Sequence, residues 1–178
     1  MPASALRVRN EQILDFVGVG FGPSNLALAV AANEIDPMAS GLFFERKPAF
    51  DWHPGLLLDS SRMQISFLKD LATLRNPASA FSFLQYTKAK GRLERFVNVG
   101  NFHPTRWEYR DYLRWVAEAF EQQVRYSSVV RRIIPMSSNG DASCDLFQVE
   151  VEHLDASETA VYWTRNVVYA AGGKPRYV

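Results

Sequence analysis

The stretch DFVGVGFGPSN, residues 15–25, places Gly18, Gly20 and Gly22 directly behind a short apolar run and follows them at once with Pro23. Glycine is entropically costly to order, so such a cluster marks backbone that must bend sharply and let another group come close. The run ILDFVGVG (13–20) reads as a buried strand of a parallel sheet. PSNLALAVAANEI (23–35) reads as a helix, with Pro23 at its first position and alanine and leucine filling its interior. GLFFERK (41–47) supplies a second strand, completing the βαβ unit of a doubly wound parallel sheet.

A glycine-rich turn between strand and helix surrounds a small space with backbone N–H groups and the positive helix end, which together attract a pyrophosphate. On this reading Gly18 permits the tight turn and Gly20 lets phosphates approach the backbone. The third glycine of a G-x-G-x-x-G pattern would fall at position 23, which is proline, so Gly22 takes over the relief of crowding. An acidic residue at the end of the second strand commonly holds ribose hydroxyls, and Glu45 closes the run LFFE. The alternative is a tight β–α connection with no ligand. Loop, helix and Glu45 together favour a dinucleotide, but they do not separate FAD from NAD.

The 178 residues favour one domain, with 1–11 as a flexible tail and 12–178 as the folded part. A hydrophobic share of 47% and a charged share of 22% suit a soluble protein with a real core. The net charge of +1 gives no electrostatic case for nucleic acid or an anionic membrane. Cys144 is the sole cysteine, which excludes an intrachain disulfide and a thiolate metal cluster, and His53, His103 and His153 show no metal-ligand spacing. No signal-like apolar region opens the sequence and no apolar stretch reaches membrane-span length, so a cytoplasmic location is the simplest expectation.

From Pro48 to Pro77 the text is irregular, and long ordered loops are often functional. SAFSFLQYTKAKG (79–91) looks helical, with Gly91 as its C-cap. Thr105 and Glu108 form a T-x-x-E capping box, after which Tyr109, Tyr112, Leu113, Val116, Phe120 and Val124 recur on one helical face, as core rather than cofactor surface. VRYSSVVRRIIPM suggests a strand, LFQVEVEHL alternates as a half-exposed antiparallel strand, and AVYWTRNVVYAAGG gives one or two more.

Four segments extend the argument: GVGFGPSNLALAVA, FFERKPAFDWHPGLLL, MQISFLKDLATLRNPASAFSFLQYTKAKGRLERF and TRWEYRDYLRWVA. Together they resemble the flavin-dependent N-hydroxylating monooxygenases, which act on the side-chain amine of ornithine or lysine in hydroxamate siderophore biosynthesis. The similarity runs from about Asp15 to the C-terminus. RNPAS (75–79) resembles the ornithine type, with the lysine type as the alternative. The resemblance implies a Rossmann-like FAD-binding domain with a parallel βαβ core and an additional antiparallel β element. It also implies NADPH as reductant, O₂ and L-ornithine as substrates and hydroxylation through a C4a-hydroperoxyflavin, and it leaves room for a homo-oligomer. Family members are much longer, with a second nucleotide loop for NADPH that this sequence lacks. AAGGKPRYV resembles the crossing into that NADPH domain. The expectation is therefore the N-terminal FAD-binding portion of such an enzyme, catalytically incomplete alone, with a non-catalytic FAD module or an inactive truncation as alternatives.

The resemblance also assigns roles. Gly18, Gly20, Gly22, Pro23, Ser24 and Asn25 match the FAD pyrophosphate loop, and Glu45 matches the residue on the adenosine ribose. Trp52 and His53 match a FAD-contacting stretch, Gln64 a flavin-binding glutamine, and Val130 a position beside the adenine where a backbone contact suffices. Lys69 matches the lysine on the substrate amino acid, and no catalytic base is assigned. From the residues alone, Trp52 reads as aromatic core, His53 as a hydrogen-bonded histidine, Gln64 as a loop tie and Lys69–Asp70 as a surface ion pair. The apolar flanks ISFL and LATL instead place the Lys69 ammonium near the interior, where an α-carboxylate would be its partner. Arg75 is held as structural.

Overall fold

The computed structural model of the chain describes residues 7–137 and 144–173. Along it run β1 (Arg7–Val19), α1 (Pro23–Ile35), β2 (Gly41–Phe44), α2 (Phe83–Ala89), α3 (Leu93–Val99), α4 (Arg106–Glu118), β3 (Val124–Arg125), β4 (Ser128–Met136), β5 (Leu146–His153) and β6 (Glu158–Tyr169). They divide between two compact units. One is built from the chain up to Asn25, Met38–Phe50 and Gln122 onward; the other from Leu26–Pro37 and Asp51–Glu121. No described helix is long and apolar enough to cross a membrane.

The first unit is a sheet in the order β3-β2-β1-β6-β5-β4. β1 runs parallel to β2 and to β6, and β2 parallel to β3. β4, β5 and β6 form an antiparallel meander. This is the expected α/β architecture, a parallel βαβ core with an added antiparallel element. Leu14, Val17 and Phe44 from the parallel strands share one buried cluster with Val149, Val151, Ala160 and Tyr162 from the meander. Val149 and Val151 are buried while Gln148 and Glu150 are partly exposed, as period-two alternation requires.

Two of the expected boundaries in this sheet differ, and the last strand resolves to one. Residues 1–6 of the expected tail lie outside the described residues, whereas 7–11 belong to β1, whose backbone pairs Arg7 with Ala160 and Val8 with Val161. Residues 9–12, RNEQ, are all polar, which hid the strand's beginning, and the pairing with β6 shifts register between Val8 and Ile13. Residues 124–136 form two strands, because Ser127 turns the chain at φ 48°. The last strand is single and unbroken, while the end of AAGGKPRYV, 174–178, falls outside the described residues.

In the second unit, α4 starts where Thr105 Oγ1 accepts from Glu108 N at 3.1 Å. The reciprocal half of the capping box is not made, because the Glu108 carboxylate pairs with Arg92 at 3.2 Å. Tyr109, Tyr112, Leu113 and Val116 are buried as expected, each such side chain worth about 1.5–3 kcal/mol of hydrophobic stabilisation. Phe120 and Val124 are also buried but lie beyond the end of α4. α2 is shorter than the expected 79–91, since Ser82 caps it by accepting from Gln85 N, and Gly91 follows its end at φ 66°. α3 was not anticipated from sequence: it has seven residues, none buried, too few to show a period. The Phe83 ring, fully buried, meets those of Tyr86, Phe96, Tyr109 and Tyr112.

Arg75 is structural, pairing with Glu34 at 2.6 Å. Burial pushes the Glu34 carboxyl up, but hydrogen bonds from Ser79, Arg75 and Asn76, with the Arg75 charge, outweigh it and hold the pKa below the ordinary 4.5. A carboxyl depressed on folding stabilises fully above its unfolded pKa and loses that contribution as pH falls through the folded value. Arg75→Ala is therefore expected to cost about 1 kcal/mol or more at neutral pH, because the Glu34 side chain is only 14% exposed and would lose its cation. It should also make the decline in stability below pH 4.5 shallower, as read from urea melts across that range.

Candidate functional site

At the junction of β1 and α1 the three glycines do different work, and two expectations need correction. Gly18 lies within β1 rather than in the turn; a Cβ there would strike the Phe43 ring and come within 2.9 Å of Asn25 Nδ2. Gly20 makes the bend, at φ 83°, and a Cβ on it would stand 2.8 Å from the carbonyl oxygen of Ala170. Gly22 relieves no crowding: a Cβ there would meet nothing within 4 Å. The space in front of Gly22 is open at the start of α1, where first-turn N–H groups have no partner inside the helix. Pro23 occupies the first helical position and Ser24 beside it is exposed.

Asn25, fully buried, has a role that sequence reasoning missed. Its Nδ2 donates to Gly20 O at 2.7 Å and to Val19 O at 3.3 Å, pinning the bend from the helix side. Its Oδ1 is buried without a partner among the described residues, an acceptor suited to a hydroxyl or water but not to a phosphate, which only accepts. Glu45 follows β2 and closes the junction from the other side. Oε2 accepts from Phe21 N at 2.8 Å and Oε1 from Lys47 N at 3.0 Å. A carboxylate offers about four lone-pair positions, so Glu45 keeps acceptors for ribose hydroxyls. Open space against the helix start, a backbone bent by glycine and a half-used carboxylate fit the diphosphate and ribose of a dinucleotide. In β4, the Val130 side chain packs partly buried against the core, and its backbone lies opposite Val151 of β5.

The second unit carries the other expected residues. Trp52 is half-buried, its ring 5.7 Å from that of Tyr109 and 5.2 Å from that of His53. His53 is exposed and held at φ 45°, capping a 3-10 turn over Pro54–Leu56, so it is not the hydrogen-bonded histidine of the simpler reading. Gln64 is exposed and is not what ties the loop down; Met63 N donates to Pro104 O and Phe67 N to Phe102 O, both at 2.9 Å. Lys69 ends a 3-10 turn, Phe67–Lys69, and is exposed rather than near the interior. It forms no ion pair with Asp70, because that carboxylate is spent on four donors: Ala72 N, Thr73 N, Thr73 Oγ1 and Phe83 N. Burial and then the negative Asp70 push the Tyr109 hydroxyl up to about 12, and the same two causes raise Tyr112, so both remain proton donors.

Arg106 also escaped the sequence reading. Its guanidinium stacks 4.7 Å from the centre of the Trp52 ring, and its Nε is buried without a partner. The available signal was its place at the first position of α4, where a cation opposes the helix dipole.

Residues 12–177 match the family described as L-lysine 6-monooxygenase/L-ornithine 5-monooxygenase. The chain belongs to this family. It is 47% identical over 170 residues to the L-ornithine N(5)-monooxygenase of Burkholderia cepacia, covering 94% of this chain and 38% of that protein. Among solved structures it resembles the reduced form of ornithine hydroxylase from Pseudomonas aeruginosa, with TM-score 0.86 and 44% identity over 94% of this chain and 41% of that one. The ornithine N-hydroxylase of Kutzneria sp. 744, solved with reduced FAD, NADP+ and L-ornithine, is similar at TM-score 0.86 and 44% identity, over 93% of this chain and 39% of that one. The chain thus spans about two fifths of the length of these family members.

Gly20→Ala should be strongly destabilising. The left-handed conformation alone costs about 1–2 kcal/mol, and the contact with Ala170 adds to it. Gly22→Ala, with its methyl in open space, should cost less than about 1 kcal/mol. Urea unfolding of the two variants side by side checks the contrast.

Proposed function

We propose that the chain is the FAD-binding portion of an NADPH-dependent L-ornithine N5-monooxygenase of hydroxamate siderophore biosynthesis, working in the cytoplasm. The observation that carries this reading is the junction of β1 and α1, bent at Gly20, open at Gly22 and closed by Glu45. It stands in a chain 47% identical to an ornithine monooxygenase over 170 residues. Ornithine is favoured over lysine by the RNPAS stretch and by the names of these relatives.

On this reading the bound flavin supplies the oxygen-activating chemistry, and the chain supplies binding and orientation. Amides at the start of α1 hold the pyrophosphate beside Gly22, Pro23 and Ser24, while Asn25 and Gly20 keep that backbone in place. Glu45 takes the adenosine ribose through its remaining lone pairs, and the backbone at Val130 lies beside the adenine. Trp52, His53 and Gln64 serve the flavin end. Lys69, exposed, takes the α-carboxylate of the substrate amino acid, a pairing suited to a lysine with no acidic partner among the described residues. On this reading NADPH is the reductant, and none of the residues named above is assigned to it.

Titrating FAD into the purified chain, followed by calorimetry and by quenching of flavin fluorescence, tests the proposal. Saturable binding is expected. Gly22→Ala should weaken it by about tenfold or more while leaving the urea midpoint close to the parent's, because a methyl group enters the phosphate space without disturbing the fold. A well-folded chain that ignores FAD overturns the reading. In the full-length enzyme, Lys69→Ala should raise the ornithine KM by about tenfold or more with little change in kcat, the signature of a lost substrate-binding contact. An unchanged KM removes Lys69 from the site.

A further inference from the structure

Lys69 combines an exposed side chain, unpartnered among the described residues, with a backbone fastened on every side. Before it, Ser66 Oγ accepts from Leu68 N at 3.2 Å, and Ser66 O accepts from Lys69 N at 2.9 Å. At the residue itself, Lys69 O accepts from the Tyr109 hydroxyl at 3.5 Å. After it, Leu71 N donates to the Tyr112 oxygen at 3.1 Å, and that hydroxyl donates in turn to Phe81 O at 2.8 Å. Asp70 then gathers the rest. Its Oδ1 accepts from Ala72 N at 2.9 Å and Thr73 N at 2.6 Å, and its Oδ2 from Thr73 Oγ1 and Phe83 N, both at 2.7 Å.

Those four donors use the whole accepting capacity of the Asp70 carboxylate. No cation pairs with it among the described residues, so N–H and O–H dipoles alone compensate a half-buried anion. Through Phe83 N it ties the residue after Lys69 to the first position of α2. Tyr112 meanwhile joins the same loop to the segment just before α2 from its place on α4. An exposed lysine that served only solubility would gain nothing from such a base. A lysine that must deliver its ammonium to one point does gain, because fixing the backbone beforehand lowers the ordering cost of binding.

We propose that Asp70 is a positioning residue: it fixes the backbone of Lys69 so that the ammonium meets the substrate carboxylate. This rests on the reading of Lys69 as the substrate's partner, and the test separates the two. In the full-length, FAD-loaded enzyme, Asp70→Asn places an N–H₂ where Oδ2 now accepts two donors, loosening the loop without changing side-chain size. The ornithine KM should rise by about tenfold, with kcat for NADPH oxidation at saturating ornithine within about twofold of the parent. Removing a negative charge next to Lys69 would by itself favour a carboxylate and lower KM, so a rise identifies positioning rather than charge. Because Asp70 acts through Lys69, the double variant Lys69→Ala/Asp70→Asn should be no worse in KM than Lys69→Ala alone.

If Lys69→Ala leaves KM unchanged, the substrate reading falls and the positioning role with it. If Lys69→Ala raises KM but Asp70→Asn does not, or if the two effects add, the positioning role alone is overturned. Should Asp70→Asn fail to fold, Tyr112→Phe decides the matter: it keeps the buried ring and removes only the bridge between Leu71 N and Phe81 O. A raised ornithine KM in that variant supports the proposal, and an unchanged one overturns it.

Discussion

One left-handed residue, Gly20, sets the geometry on which the first unit depends. With its φ at 83°, the chain turns from β1 into α1 within three residues, and no side chain fits against the Ala170 carbonyl. Neighbouring strands hold the bend: Gly20 N donates to Phe44 O at the end of β2, and Ala170 N, just past β6, donates to Val19 O. Asn25 grips it from the helix and Glu45 from the β2 end. These bonds explain how a short turn can stay open toward a ligand rather than collapse onto its own side chains. The Gly20 and Phe21 amides and the Val19 and Gly20 carbonyls, which would drive such a collapse, are already paired.

Much of this was legible in the sequence because it is local. Pro23 announces the helix start, the alternation around Val149 and Val151 announces a half-exposed strand, and Thr105 announces a cap. The βαβ order needed nothing more. What was not legible depends on residues distant in the chain. That Gly18 makes room for Phe43 while Gly22 makes room for nothing is a fact about tertiary neighbours, and spacing along the chain cannot contain it. Glu108 looked like half of a capping box until Arg92 claimed it. Asp70 looked like the partner of the adjacent Lys69, yet it serves Phe83 and its own loop. α3 is too brief for periodicity, and the polar run RNEQ at 9–12 leaves no alternation that would reveal the beginning of β1.

The long segment between β2 and α2 shows how a stretch without regular structure becomes ordered. Side chains do the work that a ladder does elsewhere. Ser66 and Asp70 accept from loop amides, Arg62 donates to His103 O at 3.0 Å, and Arg110 pairs with Asp51 at 2.7 Å. Phe67 adds a ring stacked at 5.5 Å on Phe102 and edge-on at 5.1 Å to Phe96. Backbone held this way leaves its other side chains, Gln64 and Lys69 among them, free to face a ligand.

The parallel alignment of β1 with β6 has a consequence for biogenesis. The Thr164 hydroxyl donates to the Leu14 carbonyl, a link between residues 150 apart, and the two strands pair from Arg7 to Val19. While the polypeptide emerges from the ribosome, β2 is available early on one flank of β1, but the other flank must wait for β6, whose Thr164 lies 150 residues past Leu14. A nascent chain therefore carries an unfilled sheet edge until β6 has emerged, the kind of surface that invites wrong partners. Closure of so distant a pairing is slow, which makes the last strand, rather than the glycine turn, the step that commits the sheet.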